Sequence, residues 1–303
     1  MKTRRVLSAI VLLVVVLLSG YSSAAAANPA ARAAAREAIM AEVASIPDTE
    51  VSILHSEITD IDYRIYVGYP RDYADPGNTA EYPVVFLLDG NWHFATATSA
   101  FEAYNAGELP GVILVGIGYP VDDDFDCIPL REVDLLPGVG ADAFLAFIQD
   151  ELIPYIDANY RTNGVDRTLV GHSYGGMFTL YALFTAPETF QRYLALSPAL
   201  WYGPNWDGER TIFDLEEAYF KAQDTSHPVL EADLFLAVGE NEPDDVDWGF
   251  TQPLMVSNLI ELSKTLKRRH YEGLGLDTVI IDELGHMGSF PGALARGLHE
   301  VYR

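Results

Sequence analysis

Apolar and polar residues alternate along the first part of the chain, and short, continuously apolar runs follow them. Alternation over Val51–Glu57 and Tyr63–Tyr69 predicts two antiparallel strands, each with one face buried. The later runs are typical of strands that are buried on both faces of a mostly parallel sheet. They are Val84–Leu88, Val112–Tyr119, Thr168–Val170, Tyr193–Leu196, Leu234–Val238 and Val279–Ile281.

The segments between these runs have the periodicity of α-helices, and this alternation indicates the fold class. Strands that alternate with helices predict an α/β fold, here a three-layer sandwich with a mostly parallel central sheet and right-handed crossovers. No internal repeat or low-complexity linker interrupts residues 28–303, so we expect a single domain there. The helical stretches are Ala141–Asn159, Gly175–Thr185, Pro253–Arg269 and Gly292–Tyr302.

The N-terminus has the pattern of a secretory signal peptide. Three basic residues among the first five precede Val6–Leu18, an apolar run of 13 residues. That run is shorter than the roughly 20 residues of a transmembrane helix and fits the roughly 7–15 residues of a signal sequence. Ala24–Ala27 supplies a small-residue cleavage site. We expect residues 1–27 to be removed and the protein to be exported, to the periplasm or the extracellular space; the alternative is an uncleaved membrane anchor.

The segment Leu18–Tyr21 is similar to a bacterial lipoprotein signal, but tyrosine stands where the acylated cysteine would be. Without that thiol no lipid can be attached. We therefore expect no stable membrane anchor once the signal has been cleaved.

Composition excludes several classes of function. With 49% hydrophobic residues the chain can bury a sizeable core, while 44 acidic residues against 19 basic ones give a formal charge of −25. Nucleic-acid binding is therefore not expected, because phosphate backbones are bound by clusters of lysine and arginine. The single cysteine, Cys127, excludes a disulfide framework and a cysteine-rich metal site. An acidic stretch, 122–133, fails as a calcium loop because its sixth and twelfth positions are Cys127 and Val133, so we expect no metal.

A G-x-S-x-G motif lies between the predicted strand Thr168–Val170 and the helix that begins near Gly175. The motif, Gly171–Gly175, places Ser173 at a sharp turn from strand to helix. Glycines are needed on both sides because side chains there would collide with neighbouring backbone. Ser173 is thus predicted to be an exposed nucleophile.

A nucleophilic serine needs a base, and in this architecture the order along the chain is serine, acid, histidine. Of seven histidines, His286 satisfies the order, since it follows the last strand in a glycine-flanked loop. His93 lies out of order. His172 adjoins the serine, but its side chain should point away from Oγ, so we interpret it as packing or support.

The acid is expected in the loop that follows Leu234–Val238. Glu242 occupies the fourth place of a G-x-x-[D/E] turn, where carboxylates commonly meet the histidine. Glu240 and Asp244 are the alternatives. The oxyanion hole needs two fixed N–H donors. We predict the N–H of Tyr174, after the nucleophile, and that of Asn91, which an Asp-Gly turn would direct into the site.

The ordered set of motifs resembles the "Putative esterase" family of α/β-hydrolases, which includes esterase D-like enzymes and enterobactin-type siderophore trilactone esterases. The resemblance covers roughly residues 50–303. The motifs that carry it are Phe86–Gly90, Val115–Pro120, Arg131–Pro137, Gly171–Gly176, Leu196–Tyr202, Gly239–Glu242 and Gly285–His286.

The resemblance implies hydrolysis of a small-molecule ester by a serine esterase that needs no cofactor. It also implies that Trp201 and Tyr202 lie beside the pocket, where they could stack on an aromatic or cyclic substrate or serve as core residues. Arg131 is a candidate contact for a substrate anion, or else a structural partner of Asp134. Some siderophore esterases that resemble this pattern use a serine–histidine dyad, which leaves the part of Glu242 open. An exported acyltransferase and a non-catalytic binding module are the alternative functions.

The charge pattern predicts how stability should respond to salt. Loss of the three cations in residues 1–27 would leave 44 acids against 16 bases. Raising NaCl from 0.01 to about 1 M shortens the Debye length from about 30 to about 3 Å and should relieve repulsion among carboxylates, more in the compact state than in the unfolded chain. We expect the melting temperature to rise over this range with activity retained. A flat or falling melting temperature in calorimetry at neutral pH would contradict the repulsion argument.

Overall fold

The computed structural model of the chain describes residues 45–104, 109–202, 211–242 and 254–303. Residues Ile46–Arg303 form one compact unit. The expected signal peptide, its cleavage site and the domain start at residue 28 lie outside the described residues. Within the described ranges, no helix has the length and apolar character needed to cross a membrane.

An eight-stranded, mostly parallel sheet forms the centre of the compact unit. Its order is β1-β2-β4-β3-β5-β6-β7-β8, with β1–β2 and β2–β4 antiparallel and the other neighbours parallel. The leading antiparallel pair and all six later strands were predicted and are confirmed. The strands are β1 Thr49–Ser56, β2 Ile61–Gly68, β3 Tyr82–Leu87, β4 Ile113–Gly118, β5 Thr162–His172, β6 Arg192–Leu196, β7 Val229–Gly239 and β8 Glu272–Ile281.

Helices follow the strands and cover both faces of the sheet. Three helices of the described chain were missed: α1, α2 and α6. The predicted stretch Ala141–Asn159 is a continuous series of α3, a π-helical turn at Ile148–Leu152, and α4. The helices are α1 Gly90–Tyr104, α2 Ile128–Leu135, α3 Ala141–Phe147, α4 Ile153–Asn159, α5 Tyr174–Thr185, α6 Thr211–Lys221, α7 Met255–Arg269 and α8 His286–Val301.

Alternate residues of the buried strands divide the core into two layers. Val84 and Phe86 of β3 belong to the larger core with α3, α4, α5 and α7, while Val85 and Leu87 belong to the smaller core with α1 and α8. Side chains on a strand point to opposite faces by turns, so a strand buried on both sides reads as an uninterrupted apolar run. This packing is the predicted three-layer α/β sandwich.

A buried carboxylate lies in the larger core. Asp134 of α2 is 2% exposed, and the hydroxyls of Tyr63 and Tyr119 both donate to its Oδ2 at 2.9 Å. Burial raises the pKa of Asp134 to about 6, although both hydrogen bonds act in the opposite direction. The folded state therefore holds this proton more tightly than the unfolded chain. The resulting stabilisation is present below about pH 4 and is lost as the pH rises through about 6.

The pKa of Asp134 predicts a pH-dependent effect of Asp134→Asn. Each pKa unit corresponds to about 1.4 kcal/mol. The wild type loses the Asp134 contribution as the pH rises, whereas the amide does not titrate. The free energy of unfolding of the variant, relative to that of the wild type, should therefore increase by about 2–3 kcal/mol from pH 4 to pH 7. Urea unfolding at pH 4, 5.5 and 7 measures the difference. Asp150→Asn, at an exposed site, is the control and should show no such trend. A difference independent of pH would contradict a raised pKa at Asp134.

Candidate active site

Ser173 lies at the sharp turn between β5 and α5, as predicted. Its backbone has φ 62° and ψ −119°, a left-handed conformation that is strained for a residue with a side chain. Its N–H donates to the carbonyl of Leu196 at 3.0 Å. A Cβ on Gly171 would lie 2.1 Å from the carbonyl oxygen of Gly175, so only glycine fits there. The turn thus brings Ser173 to the carboxyl edge of the sheet, where ligands bind in α/β folds.

The structure brings two of the predicted site residues into direct contact. Nδ1 of His286 and Oε2 of Glu242 are 2.7 Å apart, and the Glu242 side chain is fully buried. His286 is the first residue of α8, which begins six residues earlier than predicted. Gly285, Gly288 and Pro291 concealed this first part of the helix in the sequence. With Nδ1 bound to the carboxylate, the imidazole retains Nε2 as its second, basic position.

The alternatives for the acid have different positions. Oε2 of Glu240 accepts from the backbone N–H of Glu283 at 2.9 Å in an exposed setting, and Asp244 lies outside the described residues. Burial opposes the charge on Glu242, but hydrogen bonds from His286 and Ser197 outweigh it and hold its pKa below the ordinary value. Glu242 is therefore a carboxylate that can orient an imidazole.

Two further histidines, which sequence reasoning left outside the site, lie near His286: His172 contacts it, and His93 contacts His172. The ring of His172 is 4.5 Å from that of His286, and its Nε2 is 2.9 Å from the carbonyl oxygen of His286. His93 stacks on Phe290 with ring centroids 3.9 Å apart and lies 5.3 Å from His172. Burial lowers the pKa of His93 to about 4 and that of His172 well below its ordinary value. Both rings are thus neutral, and they hold the base of α8 against α1 and β5.

The two predicted oxyanion donors lie at helix N-termini. Tyr174 is the first residue of α5 and Asn91 the second of α1, positions at which an α-helix has no intrahelical partner for the N–H. The expected Asp-Gly turn is instead the start of α1. The positive φ, 54°, belongs to Asp89, and Gly90 is needed because β4 passes close by. The Asn91 side chain fixes this position through hydrogen bonds with the backbone N–H and carbonyl of Tyr119.

Arg131 forms a buried ion pair beside these donors. Its Nε and Nη2 donate to the two carboxylate oxygens of Asp89 at 2.8 and 2.7 Å. The guanidinium carbon also lies 5.1 Å from the ring of Trp92 and 5.2 Å from that of Tyr174. Asp134 is not its partner, so that alternative is wrong. A contact between Arg131 and a substrate anion stays a prediction. The charge of Arg131 is already balanced by Asp89.

The two predicted aromatic contacts lie against Tyr174. Trp201 and Tyr202 are 8% and 2% exposed, and each ring centroid is 6.3 Å from that of Tyr174. Most of their surface is core, in agreement with one of the two predicted roles. An exposed aromatic, Phe125, lies 6.3 Å from Trp92 and was not singled out in the sequence.

Comparison with known proteins gives one consistent result. The profile of the family described as "Putative esterase" matches residues 56–272. The ferri-bacillibactin esterase BesA of Bacillus subtilis is 29% identical over 275 residues, which are 84% of this chain and 89% of that protein. The siderophore enterobactin esterase of Emericella nidulans is 32% identical over 196 residues, 55% of this chain and 63% of that protein.

Solved structures agree with the sequence comparison. The BES protein from Bacillus cereus has a TM-score of 0.73 at 26% identity, over 88% of this chain and 98% of that one. The siderophore hydrolase EstA from Aspergillus nidulans has a TM-score of 0.71 at 25% identity, over 86% and 98%. Fold and serine turn together define an α/β-hydrolase. The chain belongs to the "Putative esterase" family, and it is a carboxylic-ester hydrolase.

Proposed function

We propose that this protein is an exported serine esterase that cleaves siderophore esters through Ser173, His286 and Glu242. The observation that carries the proposal is the hydrogen bond of 2.7 Å between His286 and the buried Glu242, together with the contact of the His286 ring, at 4.5 Å, with His172, the residue before Ser173. Carboxylate, imidazole and serine in this chain order are the parts of a nucleophilic triad.

The proposed reaction proceeds through an acyl-enzyme. Nε2 of His286 takes the proton of Ser173 Oγ while the oxygen attacks the ester carbonyl carbon. The N–H groups of Asn91 and Tyr174 then stabilise the oxyanion. As the tetrahedral intermediate collapses, the C–O bond to the alcohol breaks and His286 protonates the leaving oxygen. A water molecule, deprotonated by His286, then releases the acid and restores Ser173. No step needs a cofactor.

Siderophore esters are the substrates that the relatives favour. The two sequence relatives described above are named as esterases of ferri-bacillibactin and of enterobactin. In this chain the aromatic side chains of Trp92, Phe125 and Tyr174 lie near the predicted oxyanion donors and present apolar surface for a cyclic or aromatic ester. Short aryl and acyl esters are the broader class that the same site would accept.

Export is proposed from the sequence of the leader, with its basic start, short apolar run and small-residue site. An exported acyltransferase similar to mycolyltransferases would use the same acyl-enzyme and replace water with an alcohol. Product analysis with competing alcohols distinguishes transfer from hydrolysis. A non-catalytic binding module would bind the ester without turnover.

The first test is Ser173→Ala, assayed with a panel of ferric and iron-free trilactone siderophores, short aryl esters, feruloyl esters and triacylglycerols. Loss of the nucleophile typically costs several orders of magnitude in kcat, and His286→Ala should cost about as much because the two act as a unit. Product formation followed by chromatography gives the rates, and calorimetry checks the fold. If the serine variant retains more than roughly a tenth of the activity, Ser173 is not the nucleophile.

A second test asks whether the acid takes part in catalysis. Glu242→Gln should lower kcat by about two or more decades, because the imidazole loses the acceptor that fixes its orientation and tautomer. Glu240→Gln is the matched control, since the neighbouring carboxylate is exposed and bound to backbone, and it should change kcat less than about threefold. A loss under about fivefold in Glu242→Gln would favour a serine–histidine dyad or, if Asp244→Asn is impaired, a role for Asp244.

A further inference from the structure

The two oxygens of the Glu242 carboxylate have different partners. Oε2 faces Nδ1 of His286, whereas Oε1 accepts from the hydroxyl of Ser197 at 2.5 Å and from the backbone N–H of Gly239 at 2.7 Å. The hydroxyl of Ser289 lies farther from the same oxygen, at 3.4 Å, and donates to the carbonyl of His286 at 3.0 Å. Short hydrogen bonds to a carboxylate are stronger than long ones, so Ser197 is the principal side-chain partner of Oε1.

Ser197 lies where the two halves of the site meet. It directly follows β6, its N–H donates to the carbonyl of Ala237 on β7 at 2.7 Å, and the preceding Leu196 accepts from the N–H of Ser173. Leu196 and Ser197, which are neighbours along the chain, thus connect the serine turn with the strand that leads to the acid.

The backbone of Ser197 is in an unfavourable conformation. Its φ of 45° lies in the left-handed region, which residues other than glycine, asparagine and aspartate rarely adopt. Glycine would satisfy this backbone without strain, but it would supply no hydroxyl. Such strain is typical of residues that have a task at a functional site.

We propose that Ser197 is a positioning residue for the acid of this esterase. Its hydroxyl fixes the rotation of the Glu242 carboxylate, so that Oε2 remains directed at Nδ1 of His286 and the imidazole keeps the tautomer in which Nε2 is the base. The inference rests on the proposed function, since it assigns a part to Ser197 only if Glu242 orients His286.

The burial of the carboxylate makes the hydroxyl hard to replace. The Glu242 side chain is fully buried and Ser197 is 1% exposed, so neither group exchanges its partner freely with bulk solvent. Removal of the hydroxyl leaves Oε1 with the Gly239 N–H and the distant Ser289. The carboxylate can then turn about its terminal bond, and the angle of the contact with His286 is no longer fixed.

The test is Ser197→Gly, with Ser197→Ala as a second variant. Glycine removes the hydroxyl and the backbone strain together, so we expect a melting temperature no lower than that of the alanine variant. With p-nitrophenyl acetate, kcat should fall about 10- to 100-fold in both, while KM stays within about twofold. Ser263→Ala is the control, a buried serine of α7 whose hydroxyl lies 2.8 Å from that of Thr278 on β8, and should change kcat less than about threefold. A purely structural serine would instead give a glycine variant with unchanged kcat.

A second readout is the proton shared by His286 and Glu242. In proton NMR at low temperature, a far-downfield signal of the Nδ1–H should be present in the wild type and in Ser263→Ala, and shifted or lost in both Ser197 variants. Wild-type kcat in Ser197→Gly, or an unchanged signal, would overturn the inference. If Ser173→Ala is inactive in the same series, the proposed function survives that failure. An active Ser173→Ala would refute the proposed function, and with it the part of Ser197 in catalysis.

Discussion

The structure depends on one steric constraint, the turn at which β5 ends and α5 begins. The chain reverses at Ser173 with the carbonyl oxygen of Gly175 so close to Gly171 that a methyl group at position 171 would overlap it. Similarly, a Cβ on Gly176 would lie 2.8 Å from the carbonyl oxygen of Leu196, so α5 can approach β6 only with glycine there. The strain is held by backbone hydrogen bonds to and from neighbouring elements. The turn therefore requires a rigid sheet around it, and it places Ser173 directly before the N-terminus of α5, where the helix dipole favours negative charge.

Charges near this turn are buried in pairs or with several hydrogen bonds. The Glu242 carboxylate is bound by an imidazole, a hydroxyl and a backbone N–H. Both carboxylate oxygens of Asp89 accept hydrogen bonds from Arg131. Burial of an isolated charge would cost several kcal/mol, whereas a paired and hydrogen-bonded one is tolerated. Asp134 differs, since it lies in the core with two tyrosine hydroxyls as its donors, and burial raises its pKa. The ion pair and the hydrogen-bonded acid fix geometry at the site, and we regard them as sources of precision more than of net stability.

Features with a local cause could be predicted from the sequence. Every buried strand was found because burial on both faces requires an apolar run, and the serine turn was found because its sterics require glycines at fixed spacing. Helix α1 was missed because Asp89-Gly90 has the chemistry of a turn, and the start of α8 was missed because Gly285, Gly288 and Pro291 disguise it. His93, His172 and Ser197 come together only through the sheet order, since they are separated along the chain. No local pattern identifies a serine as the partner of a carboxylate 45 residues away.

The excess of acidic residues and the chemistry of the site are physically separate properties. Beside the serine turn, Arg131 and Asp89 form a balanced ion pair, and the Glu242 carboxylate is hydrogen-bonded to the imidazole of His286. The contacting atoms are 2.7 Å apart in both pairs and both carboxylates are buried, and salt screens buried pairs much less than exposed ones. The formal charge of −25 arises largely from other carboxylates, such as the exposed Asp122–Asp126 segment. Salt therefore changes the repulsion between surface carboxylates while it leaves the pairs at the site nearly untouched, and the fold can respond to ionic strength without a matching change in catalysis.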